Sequence, residues 1–206
     1  MTVTQPSIET LLQEITAKDT GTGRVLVAIA GAPGSGKTTL ADTLAQRLGP
    51  QAAVLPMDGF HLDNADLIPR GLLERKGAPE TFDADGFIAL IQRLRTEDDV
   101  SYPTFDRSAD RTVPNGGHIA ADTRIVVIEG NYLLLTLPPW HALSALFDLT
   151  IRLDVDHAEL EKRLIARWLS YGLSAEQARA RALGNDMRNV RVVEANSSAP
   201  DLVVRP

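Results

Sequence analysis

Apolar residues follow two alternating spacings along this chain, and the alternation predicts strands interleaved with helices. Short runs of consecutive, largely β-branched apolar residues are typical of strands that are buried on both faces of a sheet. Such runs lie at 24–30, 52–58, 124–130, 147–155 and 201–204. Apolar residues three or four positions apart predict helices between them, at 38–48, 83–94 and 158–171. Because helical crossovers join parallel strands, the pattern indicates a three-layer α/β fold with a parallel sheet.

Both ends of the predicted fold carry additional helices. Four apolar residues at offsets of 0, 3, 4 and 7 predict an amphipathic helix within 1–20 that packs against the rest of the chain. These residues are Ile8, Leu11, Leu12 and Ile15. Near the other end, Ser174 and Gln177 have the spacing of a capping box and predict a second helix start after 158–171. We therefore expect a helical hairpin at about 156–190, within one domain that spans 1–206.

Composition narrows the class of protein. The 206 residues are 44% hydrophobic and 23% charged, which is typical of a globular enzyme-sized domain. A formal net charge of −6 argues against general electrostatic binding to nucleic acid. The absence of cysteine excludes disulfides, thiolate zinc sites and cysteine nucleophiles. No export signal is visible, and no stretch approaches the ~20 apolar residues that a membrane span needs, so we expect a cytoplasmic protein with no membrane or nucleic-acid partner.

The first predicted strand leads directly into the sequence "GAPGSGKTT" at 31–39. This sequence fits the G-x-x-x-x-G-K-[ST] pattern between a strand and a helix, where backbone N–H groups and the helix N-terminus bind phosphate. We expect Lys37 to reach the β- and γ-phosphates of a nucleotide, and the Thr38 hydroxyl to bind Mg²⁺. The predicted nucleotide-binding residues are Gly31, Ala32, Pro33, Gly34, Ser35, Gly36, Lys37, Thr38 and Thr39.

Two carboxylates stand where predicted strands end. The carboxyl ends of parallel strands meet at one edge of the sheet. Glu129 and Asp58 should therefore both lie near the loop at 31–39, which we call the phosphate loop. Glu129 is predicted to act on the metal or on the phosphate side, and the alternative is a solvated strand-end carboxylate. Asp58, followed by Gly59 where the chain turns away, can accept the proton of an attacking hydroxyl. The alternatives for Asp58 are a water-mediated Mg²⁺ contact or a helix cap.

Five segments, in this order and at these spacings, resemble the phosphoribulokinase/uridine kinase family, which includes bacterial pantothenate kinases. They are "GAPGSGKTT", "MDGFH", "RGLLERKGAPETFD", "YPTFDRSADR" and "IVVIEGNYLLL". The resemblance runs from about residue 25 to 153 and continues more weakly. It implies a P-loop kinase that uses ATP and Mg²⁺ to phosphorylate the hydroxyl of a small molecule. On this resemblance Asp58 is the catalytic aspartate, Lys37 and Thr38 bind phosphate and magnesium, and Glu129 is the carboxylate of the second nucleotide motif.

The resemblance also implies a mobile lid whose arginines approach the transferred phosphoryl group. Arg163 and Arg167 match this placement and, four residues apart, lie on one helical face. Arginine suits the role because its planar fork binds phosphate oxygens bidentately and stabilises spreading negative charge. Leu160, Leu164 and Trp168 form an apolar stripe beside them, so an ordinary amphipathic helix with solvated arginines is the alternative.

The resemblance places the acceptor site on three segments that follow the second strand. The candidate residues are Asp58, His61, Arg75, Lys76, Tyr102, Phe105, Asp106, Arg107 and Glu129. Tyr102 and Phe105 can flank a ring or a chain, while Asp106 and Arg107 can bind hydroxyls or orient each other. His61 can equally be a hydrogen-bonded structural residue.

The identity of the acceptor does not carry over cleanly from the named relatives. This chain has "DGFH" where uridine kinases usually carry an aromatic residue after a short D-x-F, and it lacks the extra pocket segments of the longer pantothenate kinases. The overall pattern is similar to a compact bacterial subgroup described as fructokinase-like. A monosaccharide such as fructose is therefore the predicted acceptor, with a nucleoside or pantothenate as the alternative.

Two further function classes compete with the kinase hypothesis. A GTPase-like switch would need an N-K-x-D motif, and the nearest candidate, "GNDMRN", lacks the lysine. An NTPase that binds nucleic acid or protein would need a basic groove or an extension, which the acidic composition does not favour. Family relatives are often dimers, so a homodimer is compatible with the resemblance, although the sequence carries no interface signature.

Overall fold

The computed structural model describes residues 5–206, which contain seven strands and seven α-helices. The strands are β1 (Val25–Gly31), β2 (Ala52–Pro56), β3 (Val100–Asp106), β4 (Arg111–Ile119), β5 (Ile125–Gly130), β6 (Leu149–Leu153) and β7 (Leu202–Val204). The helices are α1 (Ile8–Ala17), α2 (Lys37–Leu48), α3 (Asn64–Leu67), α4 (Ala84–Arg93), α5 (His157–Ser170), α6 (Ala175–Arg181) and α7 (Met187–Asn196). Among these described residues, no helix is both long enough and apolar enough to cross a membrane.

Five strands form the main sheet, in the order β2-β5-β1-β6-β7, and all neighbouring pairs are parallel. In the central strand, Val25 is opposite Ile125 of β5, and Val27 is opposite Leu149 of β6. Each apolar run in the sequence falls on one of these strands, which confirms the predicted α/β fold with a parallel sheet. The order also brings the carboxyl ends of β2 and β5 beside the end of β1, where the phosphate loop begins.

Strand β1 is buried along its whole length because each of its faces packs against a different core. The odd-numbered residues from Val25 to Ile29 pack with α1 and α2, while the even-numbered residues from Leu26 to Ala30 pack in the core that includes α4. Leu11 and Ile15 of α1 are fully buried in the first core, so the predicted amphipathic helix does pack against the sheet. Residues 1–4 of that predicted segment lie outside the described residues.

A two-stranded antiparallel hairpin, β3–β4, stands apart from the main sheet, and the apolar pattern did not predict it. Its signal is weak because Pro103 interrupts β3 and because most of β4 is exposed. Val100 and Ile119 anchor the base of the hairpin in the core that includes α4. At the tip, Asp110 adopts a left-handed backbone conformation with φ 48°. The hairpin thereby carries its tip to the carboxyl edge of the main sheet.

Gly59 is required where this hairpin meets the turn that follows β2. A Cβ at Gly59 would lie 1.8 Å from the carbonyl oxygen of Pro103 and 2.6 Å from its carbonyl carbon. The chain turns away here as expected, but Gly59 is not among the glycines with a positive φ, so close backbone approach is what requires a glycine.

The predicted helical hairpin at 156–190 is present as α5 and α6, and the expected capping box begins α6. The helical segment extends further than predicted, because α6 continues through a π turn into α7 and ends at Asn196. Leu160 and Leu164 of α5 pack on Ala32 of the phosphate loop. We call α5 to α7 the C-terminal helical segment. The apolar stripe of α5 therefore packs this segment directly on the phosphate loop.

Candidate active site

A cavity of about 870 Å³ opens at the carboxyl edge of the sheet. Its walls come from the phosphate loop, the turn after β2, the hairpin tip, the end of β5 and the C-terminal helical segment. This volume lies at the upper end of the range of small-molecule sites, so the cavity has room for two ligands side by side.

The phosphate loop forms one wall of this cavity. Gly34 and Gly36 have φ of 80° and 94°, which L side chains rarely adopt, and α2 begins immediately afterwards. Its N-terminal N–H groups therefore point toward the loop, as an anion-binding site needs. Of the nine predicted nucleotide-binding residues, those that line the cavity are Pro33, Gly34, Gly36, Lys37, Thr38 and Thr39. Those that lie in the loop without lining the cavity are Gly31, Ala32 and Ser35.

Lys37 and Glu129 are both buried, and both line the cavity. Burial lowers the pKa of Lys37, although the nearby carboxylates oppose the shift. Burial likewise raises the pKa of Glu129, against the influence of Lys37 and with a further rise caused by Asp58. Burial is the largest cause of both pKa shifts, because removal from water disfavours the charged form of each group. Lys37 Nζ donates to Ala32 O at 3.0 Å, so the ammonium group is already aligned with the loop.

Thr38 and Glu129 have the chemistry of a magnesium site. The Thr38 hydroxyl donates to Glu129 Oε1 at 3.3 Å. Magnesium prefers hard oxygen ligands and usually takes one or two from the protein, with water and phosphate oxygens completing its shell. No group of three acidic or histidine side chains forms a metal cluster within residues 5–206. The two predicted ligands therefore fit a metal that is bound mainly through a nucleotide.

Asp58 lies in the turn after β2 and lines the cavity. Its Oδ2 accepts a hydrogen bond from Arg107 at the hairpin tip. Its carbonyl oxygen lies 2.8 Å from His61 Nδ1, and because a carbonyl can only accept, Nδ1 carries the proton. Burial lowers the pKa of His61 and so favours the neutral ring. The Asp58 carboxylate thus shares the cavity with Lys37 and can accept a proton there.

The opposite end of the cavity contains three connected polar side chains, the Asn64–Lys76–Asp110 triad. Lys76, only 8% exposed, donates to Asn64 Oδ1 at 2.8 Å and lies 2.9 Å from Asp110 Oδ1. Asn64 Nδ2 donates to Asp110 Oδ2 at 2.8 Å. The Lys76 ammonium group lies 5.1 Å from the centre of the Phe105 ring, which packs 4.5 Å from His61. This end therefore combines an aromatic surface with hydrogen-bond donors and acceptors.

Sequence reasoning predicted Lys76 in this triad and missed Asn64 and Asp110. Asp110 lies within the segment "YPTFDRSADR" that carried the resemblance, but the turn that brings it to Lys76 could not be inferred from spacing. Asn64 lies in a helix of only four residues, which has no apolar periodicity to detect.

Three residues predicted at the acceptor site face elsewhere. Tyr102 is buried under the hairpin, where its hydroxyl donates to Val54 O at 3.2 Å. Arg75 lies outside the cavity and forms an ion pair with Glu80 at 3.2 Å. Asp106 accepts hydrogen bonds from two backbone N–H groups of the hairpin turn, so it closes that turn and does not orient an arginine.

The two predicted lid arginines occupy different surroundings. Arg167 lines the cavity, its Nη2 donates to Asp186 Oδ2 at 3.1 Å, and its buried Nε has no hydrogen-bond partner among residues 5–206. Arg163 does not line the cavity; it pairs with Glu159 at 2.8 Å and donates to a phosphate-loop carbonyl at 3.4 Å. Trp168, which the sequence placed in an apolar stripe, also lines the cavity.

Comparisons with known proteins agree with this geometry. The family model described as "Phosphoribulokinase / Uridine kinase family" matches residues 26–204. A crystal structure from a Silicibacter species, of a protein provisionally assigned as a fructose transport system kinase, is 48% identical with a TM-score of 0.92, covering 96% of this chain and 98% of that one. A Schizosaccharomyces pombe protein provisionally named a uridine kinase is 39% identical over 88% of this chain and 83% of its own length. A pantothenate kinase from Nocardioides is 30% identical over 70% of this chain and 47% of its own.

The matched residues include the whole phosphate loop and the carboxylates at positions 58 and 129. The resemblance inferred from five short segments is therefore confirmed over almost the whole chain, and with it the prediction of a phosphotransferase that acts on a hydroxyl acceptor. The chain belongs to the phosphoribulokinase/uridine kinase family of P-loop kinases.

Proposed function

We propose that this protein transfers the γ-phosphoryl group of ATP to a hydroxyl of a small, uncharged, polyhydroxylated acceptor, and that a monosaccharide such as fructose is the best candidate. The observation that carries the proposal is that Asp58 and Lys37 face one cavity, with Lys37 at its phosphate-binding wall. A carboxylate in this position is what a kinase needs beside its nucleotide.

The roles of the individual side chains follow from their positions. The phosphate loop and Lys37 bind the ATP phosphates, and Arg167 offers its unpartnered Nε at the same wall. Thr38 and Glu129 would hold Mg²⁺, which when bound neutralises phosphate charge. Asp58 accepts the proton of the acceptor hydroxyl while the hydroxyl oxygen forms a bond to the γ-phosphorus. The bond between that phosphorus and the ADP oxygen breaks, and ADP is the leaving group.

The acceptor end is the part of the cavity that contains the Asn64–Lys76–Asp110 triad and Phe105. Its charge balance favours an uncharged substrate. The cation of Lys76 is paired with Asp110, and that of Arg107 is paired with Asp58. An acceptor with a carboxylate or phosphate would have to compete with one of these internal pairs, whereas hydroxyl groups can add to them. The Phe105 ring offers a surface for the apolar face of a sugar. The name of the Silicibacter relative supports fructose; a nucleoside and pantothenate, which are suggested by the other two relatives, remain the alternatives.

The test measures ADP release with MgATP against fructose, other monosaccharides, uridine, cytidine and pantothenate. Asp58→Asn is expected to lower turnover with the active compound by about 10²- to 10⁴-fold while ATP affinity is retained. Arg107 is 59% exposed, so losing its ion pair costs no more than about 1 kcal/mol and the variant should fold. Asp85→Asn, at an exposed position on α4, is the matched control and should behave as wild type.

Two results would count against the proposal. Binding of ATP without stimulation by any compound would reject the acceptor class. Turnover by Asp58→Asn within about tenfold of wild type would remove Asp58 as the base.

A further inference from the structure

Asn185 is a buried polar residue whose two side-chain hydrogen bonds both reach the segment that supplies Lys76. It lies in the π turn Ala182–Asp186 and is 7% exposed. Its Oδ1 accepts from Arg75 Nη1 at 2.6 Å, and its Nδ2 donates to the Lys76 carbonyl at 2.9 Å. The C-terminal helical segment therefore binds the backbone of Lys76 and the side chain of Arg75.

Asp186, the next residue, faces α5 instead. It is also 7% exposed, and its Oδ2 accepts from Arg167 Nη2 at 3.1 Å and from Trp168 Nε1 at 2.5 Å. One helical turn further, Asn189 lines the cavity with a buried Oδ1 that has no hydrogen-bond partner within residues 5–206. This part of the helical segment is thus a polar wall of the cavity that still has open hydrogen-bonding capacity.

Neighbouring residues of a helix point in different directions, about 100° apart in an α-helix, which is why Asn185 and Asp186 can contact two different parts of the site. A π turn is a single-turn departure from α-helical geometry that commonly occurs at functional sites. Here it lies between α6 and α7, and only one peptide unit separates the two residues.

We propose that Asn185 and Asp186 are positioning residues that fix the acceptor-end segment relative to Arg167. The inference rests on the proposed function, because it assigns Lys76 to the acceptor and Arg167 to the phosphoryl group. Movement of either partner is transmitted through one peptide unit of the π turn to the other. The pair fixes the position of Lys76 relative to Arg167 within the cavity.

The coupling can be tested without any acceptor, by amide hydrogen exchange on the full chain alone and with a non-hydrolysable ATP analogue. The amides of Lys76 and Ala78 are protected by hydrogen bonds to backbone carbonyls, so their exchange is measurable. Asp186→Asn changes hydrogen bonds to α5 and none to the Lys76 segment, yet it is expected to speed exchange at these amides at least about fivefold. Glu176→Gln, exposed on α6, is the control and should leave them unchanged. Faster exchange confined to α5 would overturn the proposal.

Kinetics provides a second test once an acceptor is known. Asn185→Leu is expected to raise the acceptor KM at least about tenfold with the ATP KM unchanged, while Asp186→Asn lowers mainly kcat. In the double variant, the loss in kcat/KM should be smaller than the product of the two single losses by about fivefold or more. Effects that multiply to within about twofold would contradict coupling. If wild type phosphorylates none of the compounds, the proposed acceptor class fails, and the exchange experiment still decides the coupling.

Discussion

Replacing Gly59 with alanine tests whether the contact between the β2 turn and the hairpin holds the proposed acceptor site together. The new Cβ would lie 1.8 Å from Pro103 O and 3.1 Å from the Thr104 Cα. Real Cβ atoms essentially never approach another heavy atom more closely than 3.0 Å, so the two segments must separate by about 1.2 Å at this point. Backbone atoms cannot rotate aside as a side chain would, and the hairpin must therefore move as a unit.

The magnitude follows from this displacement. Overpacking of a well-packed interior typically costs about 1–3 kcal/mol. In a chain of this length each kcal/mol lowers Tm by about 2–4 °C, so we expect a Tm lower by about 2–12 °C. A shift of about 1 Å in a substrate-positioning group can reduce kcat/KM for the acceptor about 100-fold. None of the three atoms nearest to the added Cβ belongs to the phosphate loop, and ATP affinity should therefore change by less than about twofold.

The assay combines thermal unfolding, ATP binding by calorimetry and acceptor kinetics. Gly184→Ala is the matched control, because a Cβ there meets no atom within 4 Å and the residue lies in a helical run. That control should be neutral or stabilising by up to about 1 kcal/mol. A Gly59→Ala protein with unchanged Tm and unchanged acceptor kinetics would refute the argument that this contact sets the position of the hairpin.

Three further predictions concern charged groups of the site. The raised pKa of Glu129 means that the folded state binds more protons than the unfolded state between pH 4.5 and the folded-state pKa. The free energy of unfolding therefore falls as pH rises through this window. In Glu129→Gln, denaturant unfolding measured across the same pH range should no longer show this decrease. In steady-state kinetics, Lys76→Met should raise the acceptor KM about tenfold or more without changing the ATP KM. Asp110→Asn should raise the acceptor KM to a smaller degree, also without changing the ATP KM. Arg167→Gln should lower kcat at least about tenfold, whereas Arg163→Gln should mainly weaken ATP binding measured by calorimetry.

The parts of the fold that depend on local pattern could be predicted from the sequence. Strand β5 has four consecutive buried apolar residues from Ile125 to Ile128, and such a run is compatible only with burial on both faces. The position of Glu129 then follows from topology, because a residue at the carboxyl end of a central parallel strand must reach the ligand edge. For the same reason the sequence predicts that Asp58 lies near the loop that contains Lys37.

The acceptor end could not be predicted in the same way, because it depends on contacts between distant segments. Lys76 meets Asp110 across 34 positions of sequence, through a hairpin whose register shifts near Pro103. Tyr102 and Phe105 are both aromatic members of β3, yet only Phe105 reaches the cavity. The two residues are three positions apart, so alternation along β3 points them to opposite faces, but the apolar pattern did not predict β3 as a strand.

The two lid arginines show where spacing stops being informative. Residues four apart share a helical face, but they are separated by about 6 Å along the axis. Because Leu160 and Leu164 seat α5 on the phosphate loop, the nearer arginine, Arg163, is used to bind a loop carbonyl. Arg167, one turn further, clears the loop and lines the cavity beside Asp186. The seating of α5 therefore decides which of the two arginines lines the cavity.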